Sequence, residues 1–144
     1  MSQDLSLKSF VVLMKATKSL QERIKLDINN YGVNLSEFAV LEVLYHKGQQ
    51  TVQQICNSVL IASGSMTYVI DKLEKKNMLE RSACPHDRRV VHVMLTDQGK
   101  EFMDSIFPQH QKVIEDVFAE VTIEEKEILI DALKKVGLKA QSQL

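Results

Sequence analysis

Apolar positions recur every three to four residues along most of this chain, and that period predicts helices. From Leu5 to about Asn30, the residues Phe10, Met14, Thr17, Leu20, Ile24 and Ile28 fall on one face of a long amphipathic helix. Tyr31-Gly32 ends it, with Gly32 able to adopt a left-handed cap. A second helix is expected to start at an N-cap on Ser36, with Glu37 in its first turn and Leu35 and Val40 at the staple positions. Phe38, Leu41, Leu44 and Tyr45 form its buried stripe, and Gly48 stops it. Thr51-Val52-Gln53-Gln54 is a capping box that opens a short third helix, with Ile55, Cys56, Val59 and Leu60 facing inward. After a break at Ile61-Ala62, Ser63 is expected to cap a fourth helix. Its apolar residues Met66, Val69, Ile70 and Leu73 are spaced 0, 3, 4 and 7.

The far face of that fourth helix carries Gly64, Tyr68, Asp71 and Lys75, flanked by Ser65, Thr67 and Lys72. Two short helices with a tight connection, the second bearing hydroxyls, a phenol and lysines outward, form a helix-turn-helix pattern. The period then changes to two. Met78 to Ala83 and Val90 to Leu95 read as strands, joined by Cys84-Pro85-His86-Asp87-Arg88-Arg89. A hairpin in that place is a wing. Thr96 is expected to cap a long helix through Phe102, Met103, Ile106, His110, Val113, Ile114 and Val117, with a kink or break at Pro108. Thr122-Ile123-Glu124-Glu125 is a further capping box, opening a last helix through Ile128, Leu129, Leu133 and Val136.

The expected fold is therefore mainly α with a small β-hairpin wing. Its order is four helices, a strand, the wing, a second strand and two helices. Residues 35–96 would form a winged helix-turn-helix domain. Residues 1–34 and 97–144 would form a helical dimerisation region, because their apolar stripes need a partner and a two-fold homodimer is the commonest one.

The composition fits that picture. The chain has 144 residues, with five Gly and two Pro, few turn-formers for its length. Formal net charge is −1, which argues against a wholly basic nucleic-acid coat. The balance is uneven, however. Residues 1–95 carry 12 Lys+Arg against 9 Asp+Glu, and residues 96–144 carry 6 against 10. A mildly basic first part points weakly to a nucleic-acid partner. Two cysteines make no disulfide framework, no apolar run approaches a membrane span, and the start of the chain shows no signal peptide. The expected compartment is the cytoplasm, with no membrane association.

The combination of Asp71-Lys72-Leu73-Glu74-Lys75-Lys76, Asp87-Arg88-Arg89 and Leu95-Thr96-Asp97-Gln98-Gly99 resembles the MarR family of winged helix-turn-helix transcriptional regulators, over essentially the whole chain. The resemblance implies a repressor that binds palindromic double-stranded operator DNA as a homodimer. A helix in the major groove presents its first turns to base edges. Here those turns offer Ser63, Ser65, Thr67 and Tyr68, with Lys72 and Lys75 further along. Arg88 and Arg89 sit at the wing tip, where a guanidinium can enter the narrow minor groove. In the family the D-x-R pair matters, and it maps to Asp87 and Arg89. Arg81 on the first wing strand is a secondary phosphate-contact candidate.

A regulator of this kind also needs a signal. The resemblance implies a small aromatic or phenolic effector, bound between the dimerisation region and the winged module. Phe10, Met14, Phe38, Tyr45 and His110 are the candidates to line that pocket. Similarity to a catechol- and quinone-responsive branch rests on Glu37-Phe38-Ala39-Val40-Leu41-Glu42, Tyr45-His46-Lys47-Gly48, Ala62-Ser63-Gly64-Ser65 with Thr67-Tyr68-Val69, and Ile106-Phe107-Pro108. A rival reading places thiol-based redox sensing at Cys84, which lies in the wing, is expected to be exposed and has basic neighbours. Cys56 reads instead as a small buried hydrophobe. Another rival is a winged-helix protein-interaction module with no operator. The four histidines show no metal spacing, and no cofactor motif or catalytic constellation is visible, so no enzyme is expected.

Overall fold

The structure is a computed structural model, and it describes residues 4–59 and 65–144. The helices are α1 (Asp4–Asn29), α2 (Leu35–Lys47), α3 (Val52–Ser58), α4 (Met66–Lys75), α5 (Asp97–Val117) and α6 (Ile123–Ser142). The strands are β1 (Gln50–Thr51), β2 (Leu79–Ala83) and β3 (Val91–Leu95). The expected cap at Ser63 and the inward position of Leu60 lie outside the described residues.

Several local signals operate as read. Gly32 has φ +84° and Gly48 φ +75°, so both helix ends use the conformation that favours glycine. Thr51 and Thr122 each make a full capping box, with Gln54 and Glu125 as the reciprocating residues. Two caps differ. The N-cap of α2 is Asn34, whose side chain accepts from the Glu37 N–H while the Glu37 carboxylate accepts from the Asn34 N–H. Ser36 lies inside the helix. Asn34 and Glu37 have the three-residue capping-box spacing, and they satisfy two orphan donors where Ser36 would satisfy one. At α4 the cap is Ser65, which accepts from the Tyr68 N–H at 3.4 Å.

The sheet has three strands, in the order β1-β3-β2, all antiparallel. The hairpin β2-β3 pairs Leu79 with Leu95 through Ala83 with Val91. The third strand was not expected. β1 is only two residues long and pairs Gln50 with Val93 and Thr51 with His92. Two residues are too short to show a period of two.

The chain divides into two compact units, residues 1–110 and 111–144. In the first, Ile28, Phe38, Leu41, Leu44, Ile55, Ile70, Leu73, Leu79, Val93, Met103 and Ile106 close one core. The long stripe of α1 joins that core only at its end. Ile28 is buried and Ile24 packs against it, whereas Phe10 and Met14 are 60% and 51% exposed. Cys56 is exposed rather than buried. In a helix of seven residues, Ile55 takes the core position, and the next residue is rotated about 100° away. Pro108 does not break α5, which continues through it to Val117. In the second unit, α6 buries none of its residues and leaves Ile128, Leu129, Leu133 and Val136 exposed.

Candidate nucleic-acid interface

α4 is amphipathic across its ten residues. Val69, Ile70 and Leu73 are buried, and this fixes the rotation of the helix. The opposite face is therefore presented outward: Ser65, Thr67, Tyr68, Lys72 and Lys75 are exposed, Tyr68 by 66%. Of the predicted reading residues on this helix, only Ser63 lies outside the described residues.

The last turn of α4 is anchored on three sides. Lys76 donates to the Glu37 carboxylate of α2 at 2.7 Å. Burial alone would raise the Glu37 carboxyl, but the Lys76 ammonium and the Asn34 N–H outweigh it and hold the group below the usual carboxylate range. Asn77 then takes φ +61°, and the Met78 N–H returns to the Leu73 carbonyl. The start of α5 closes the third side. The Thr96 hydroxyl donates to the Asn77 carbonyl at 2.5 Å and accepts from the Gly99 N–H at 3.0 Å. The Thr96 N–H donates to the Met78 carbonyl, and Gln98 donates to the Lys76 carbonyl. The Leu-Thr-Asp-Gln-Gly run thus has a physical role, which is to dock α5 against the end of α4.

The wing tip is shaped by one carboxylate. Asp87 Oδ1 accepts from the Arg89 backbone N–H at 3.0 Å and from Arg89 Nε at 3.3 Å. The Arg89 side chain is 92% exposed, so Asp87 steadies its guanidinium through Nε while most of the group stays open to solvent. Arg88 is exposed beside it. Cys84 is half-buried at the edge of the hairpin, where its N–H donates to the Val90 carbonyl, and is thus less open than expected.

Arg81 differs from the other candidates. Its Nη2 donates to Asp71 and, at 3.1 Å, to Glu74 Oε1. Its backbone N–H donates to Glu74 Oε2 at 3.3 Å. Glu74 and then Asp71 hold the guanidinium above its usual value, and Arg81 in turn lowers the Glu74 carboxyl. The side chain turns back onto α4 instead of outward.

Of the predicted effector residues, three meet in one aromatic cluster. The Phe38 and His110 rings lie 4.8 Å apart, and Phe107 links them to Tyr45 with centroids at 6.0 and 5.6 Å. His110 is buried, with Nδ1 3.0 Å from Asp27 Oδ2 and Nε2 3.9 Å from Glu42. Tyr31 donates to Asp27 at 2.5 Å, and burial together with that bond pushes its hydroxyl up to about 12. Tyr45 donates to Asp104, which raises its hydroxyl too. Phe10 and Met14 stand apart on the exposed half of α1. An open groove of about 280 Å³ lies between α2, β3 and α5, and only Tyr45 of the five predicted residues lines it. Asp27, Tyr31, Glu42 and Phe107 were not predicted. Asp27 beside Ile28 was a usable signal, because a carboxylate at the inward end of an apolar stripe needs a partner. Among the described residues, no cluster of His, Cys, Asp or Glu could hold a metal ion.

A helix-turn-helix followed by a ribbon with an exposed arginine at its tip defines a winged helix-turn-helix protein of the DNA-binding class. The MarR family model matches residues 33–91. The HTH-type transcriptional regulator MhqR of Bacillus subtilis is 46% identical over 136 residues, covering 94% of each chain. The chain belongs to the MarR family; it is a transcriptional regulator and not an enzyme. Among solved structures it resembles AbsC of Streptomyces coelicolor, with TM-score 0.85 and 19% identity over 96% of each chain. It also resembles Sco3205 of the same organism in complex with DNA, with TM-score 0.80 and 21% identity over 93% of this chain and 84% of that one. NadR in complex with 4-hydroxyphenylacetate matches with TM-score 0.74 and 21% identity, over 88% of this chain and 89% of that one. These likenesses establish the fold.

Proposed function

We propose that the chain is a cytoplasmic repressor that binds a palindromic operator as a homodimer and releases it on binding a small phenolic or quinone-like effector. The observation that carries the DNA reading is the joint presentation of two polar surfaces by one compact unit. One is the outward face of α4, with Ser65, Thr67, Tyr68, Lys72 and Lys75. The other is Arg89, exposed and steadied by Asp87, with Arg88 as a backbone contact. α4 would enter the major groove and Arg89 the adjacent minor groove. The dimer would be made by residues 1–34 and 97–144, whose exposed apolar side chains include Leu5, Phe10, Val12, Leu129 and Leu133. The winged module, residues 35–96, would carry the DNA contacts.

The aromatic cluster around His110 supports the effector reading. Asp27 engages Nδ1, leaving Nε2, 3.9 Å from Glu42, to meet a phenolic hydroxyl between the Phe38 and Phe107 rings. NadR is solved with 4-hydroxyphenylacetate, a ligand of that class. Release requires the effector to grip the two states unequally.

Selection of duplexes from a random pool by the full chain, with and without simple phenols, catechols and benzoquinones, tests both parts. The expected product is a palindrome whose half-sites are about one helical turn apart, recovered less in the presence of one of these compounds. In gel-shift titration, Arg89→Ala should lose roughly tenfold or more in affinity with the fold intact. Unchanged affinity would remove Arg89 from the interface. A non-symmetric product would contradict the homodimer, and compound-independent binding the effector class.

A further inference from the structure

We propose that Arg81 is a positioning residue, one that fixes the angle between the reading helix α4 and the wing ribbon, and not a phosphate contact. This rests on the proposed reading of α4 and the wing tip as the two DNA-contacting surfaces. Arg81 is the third residue of β2, the strand that leads out to the wing. Asp71 and Glu74 are three residues apart, on one face of α4. The guanidinium spans both carboxylates, and the Arg81 backbone N–H takes the second oxygen of Glu74. Three bonds from one residue thus tie the last turns of α4 to the root of the ribbon. A planar fork with several donors suits that task, and a lysine ammonium does not.

The charge balance points the same way. One positive group faces two negative ones, so this corner carries no surplus positive charge for a phosphate. Arg81 is also only 28% exposed in its side chain, against 92% for Arg89. Its contribution to binding is geometric. Two surfaces held at the right angle bind as one site, and a loose joint lowers the effective concentration of the second surface once the first has docked.

Three variants of the full chain separate the two roles: Arg81→Lys, Arg81→Gln and the double variant Asp71→Asn with Glu74→Gln. Each is titrated against the duplex selected by the wild-type chain and against a scrambled duplex of the same composition, over a range of salt. The positioning role predicts a loss on the order of tenfold in preference for the selected duplex in all three. It also predicts that the slope of log affinity against log salt is unchanged in Arg81→Gln. A phosphate contact predicts that Arg81→Lys binds like the wild type, that the slope in Arg81→Gln falls by about 0.9 per lost contact, and that the double variant keeps the wild-type preference for the selected duplex, because a phosphate contact carries no sequence information. That second pattern overturns the assignment, even if Arg81→Gln fails to fold, because the other two variants report it. If the wild-type chain itself shows no duplex preference, the DNA reading fails; if the wild type is selective and Arg81→Lys matches it, only the Arg81 role fails.

Discussion

A Cβ placed on Gly99 would lie 1.9 Å from the carbonyl oxygen of Met78 and 2.9 Å from its carbon. The obstacle is backbone, and it cannot rotate away. Gly99→Ala should therefore force α5 off the end of α4, at a cost of about 1–3 kcal/mol, the range of an overpacked core site. A urea titration of the variant reads that loss as a lower midpoint. A midpoint equal to the wild type would show that the joint gives way freely. The glycine was legible in the sequence as part of a motif, but its reason was not, because the atom it accommodates is 21 positions away in the chain. The same limit applies to Arg81, whose two carboxylate partners lie on another element. Arg89 was easier, since Asp87 is two residues away and the bond is local.

Elements were legible in proportion to their length and to the closeness of their signals. The helices follow apolar periodicity, and the capping boxes at Thr51 and Thr122 need only residues three apart. The α2 start was misplaced by two residues because Ser36 is also a good cap by type. The correct cap brings a consequence for pH. Glu37 both closes the box on Asn34 and receives Lys76, so α2 and α4 share one carboxylate. Its folded value is lowered, so its contribution to stability is complete above the unfolded carboxylate value, near 4.3, and is lost as pH falls through the lower folded value. Glu37→Gln should reduce stability at pH 7 by an amount on the order of 1 kcal/mol. It should also flatten the fall in stability between roughly pH 5 and 3. Urea midpoints of both proteins across that window check the sign, and parallel curves would remove Glu37 as the titrating group. The two-residue strand β1 had no such signal, since only its pairing with β3 reveals it.

At the scale of the whole molecule, the unpartnered apolar side chains of α1 and α6 are the largest feature that one chain leaves unexplained. The periodicity alone showed these stripes but could not say whether the chain itself would cover them. The homodimer proposed above covers them. Leu133→Glu, on the exposed apolar side of α6, should shift the chain to monomer in sedimentation velocity and lower affinity for a palindromic duplex, because each half-site would then bind alone. A dimer that persists in the variant would move the interface away from α6. Net charge reads differently at this scale too: Arg81 is outnumbered by Asp71 and Glu74, so the cations offered to the proposed DNA contacts are Lys72 and Lys75 on α4 and Arg88 and Arg89 at the wing tip. Thr51 belongs to β1, where it pairs with His92 of the wing's inner strand, and it is also the residue whose hydroxyl caps α3. The wing's central strand and the first helix of the helix-turn-helix thus share one residue, so a bend in the ribbon would reach that helix through a two-residue strand.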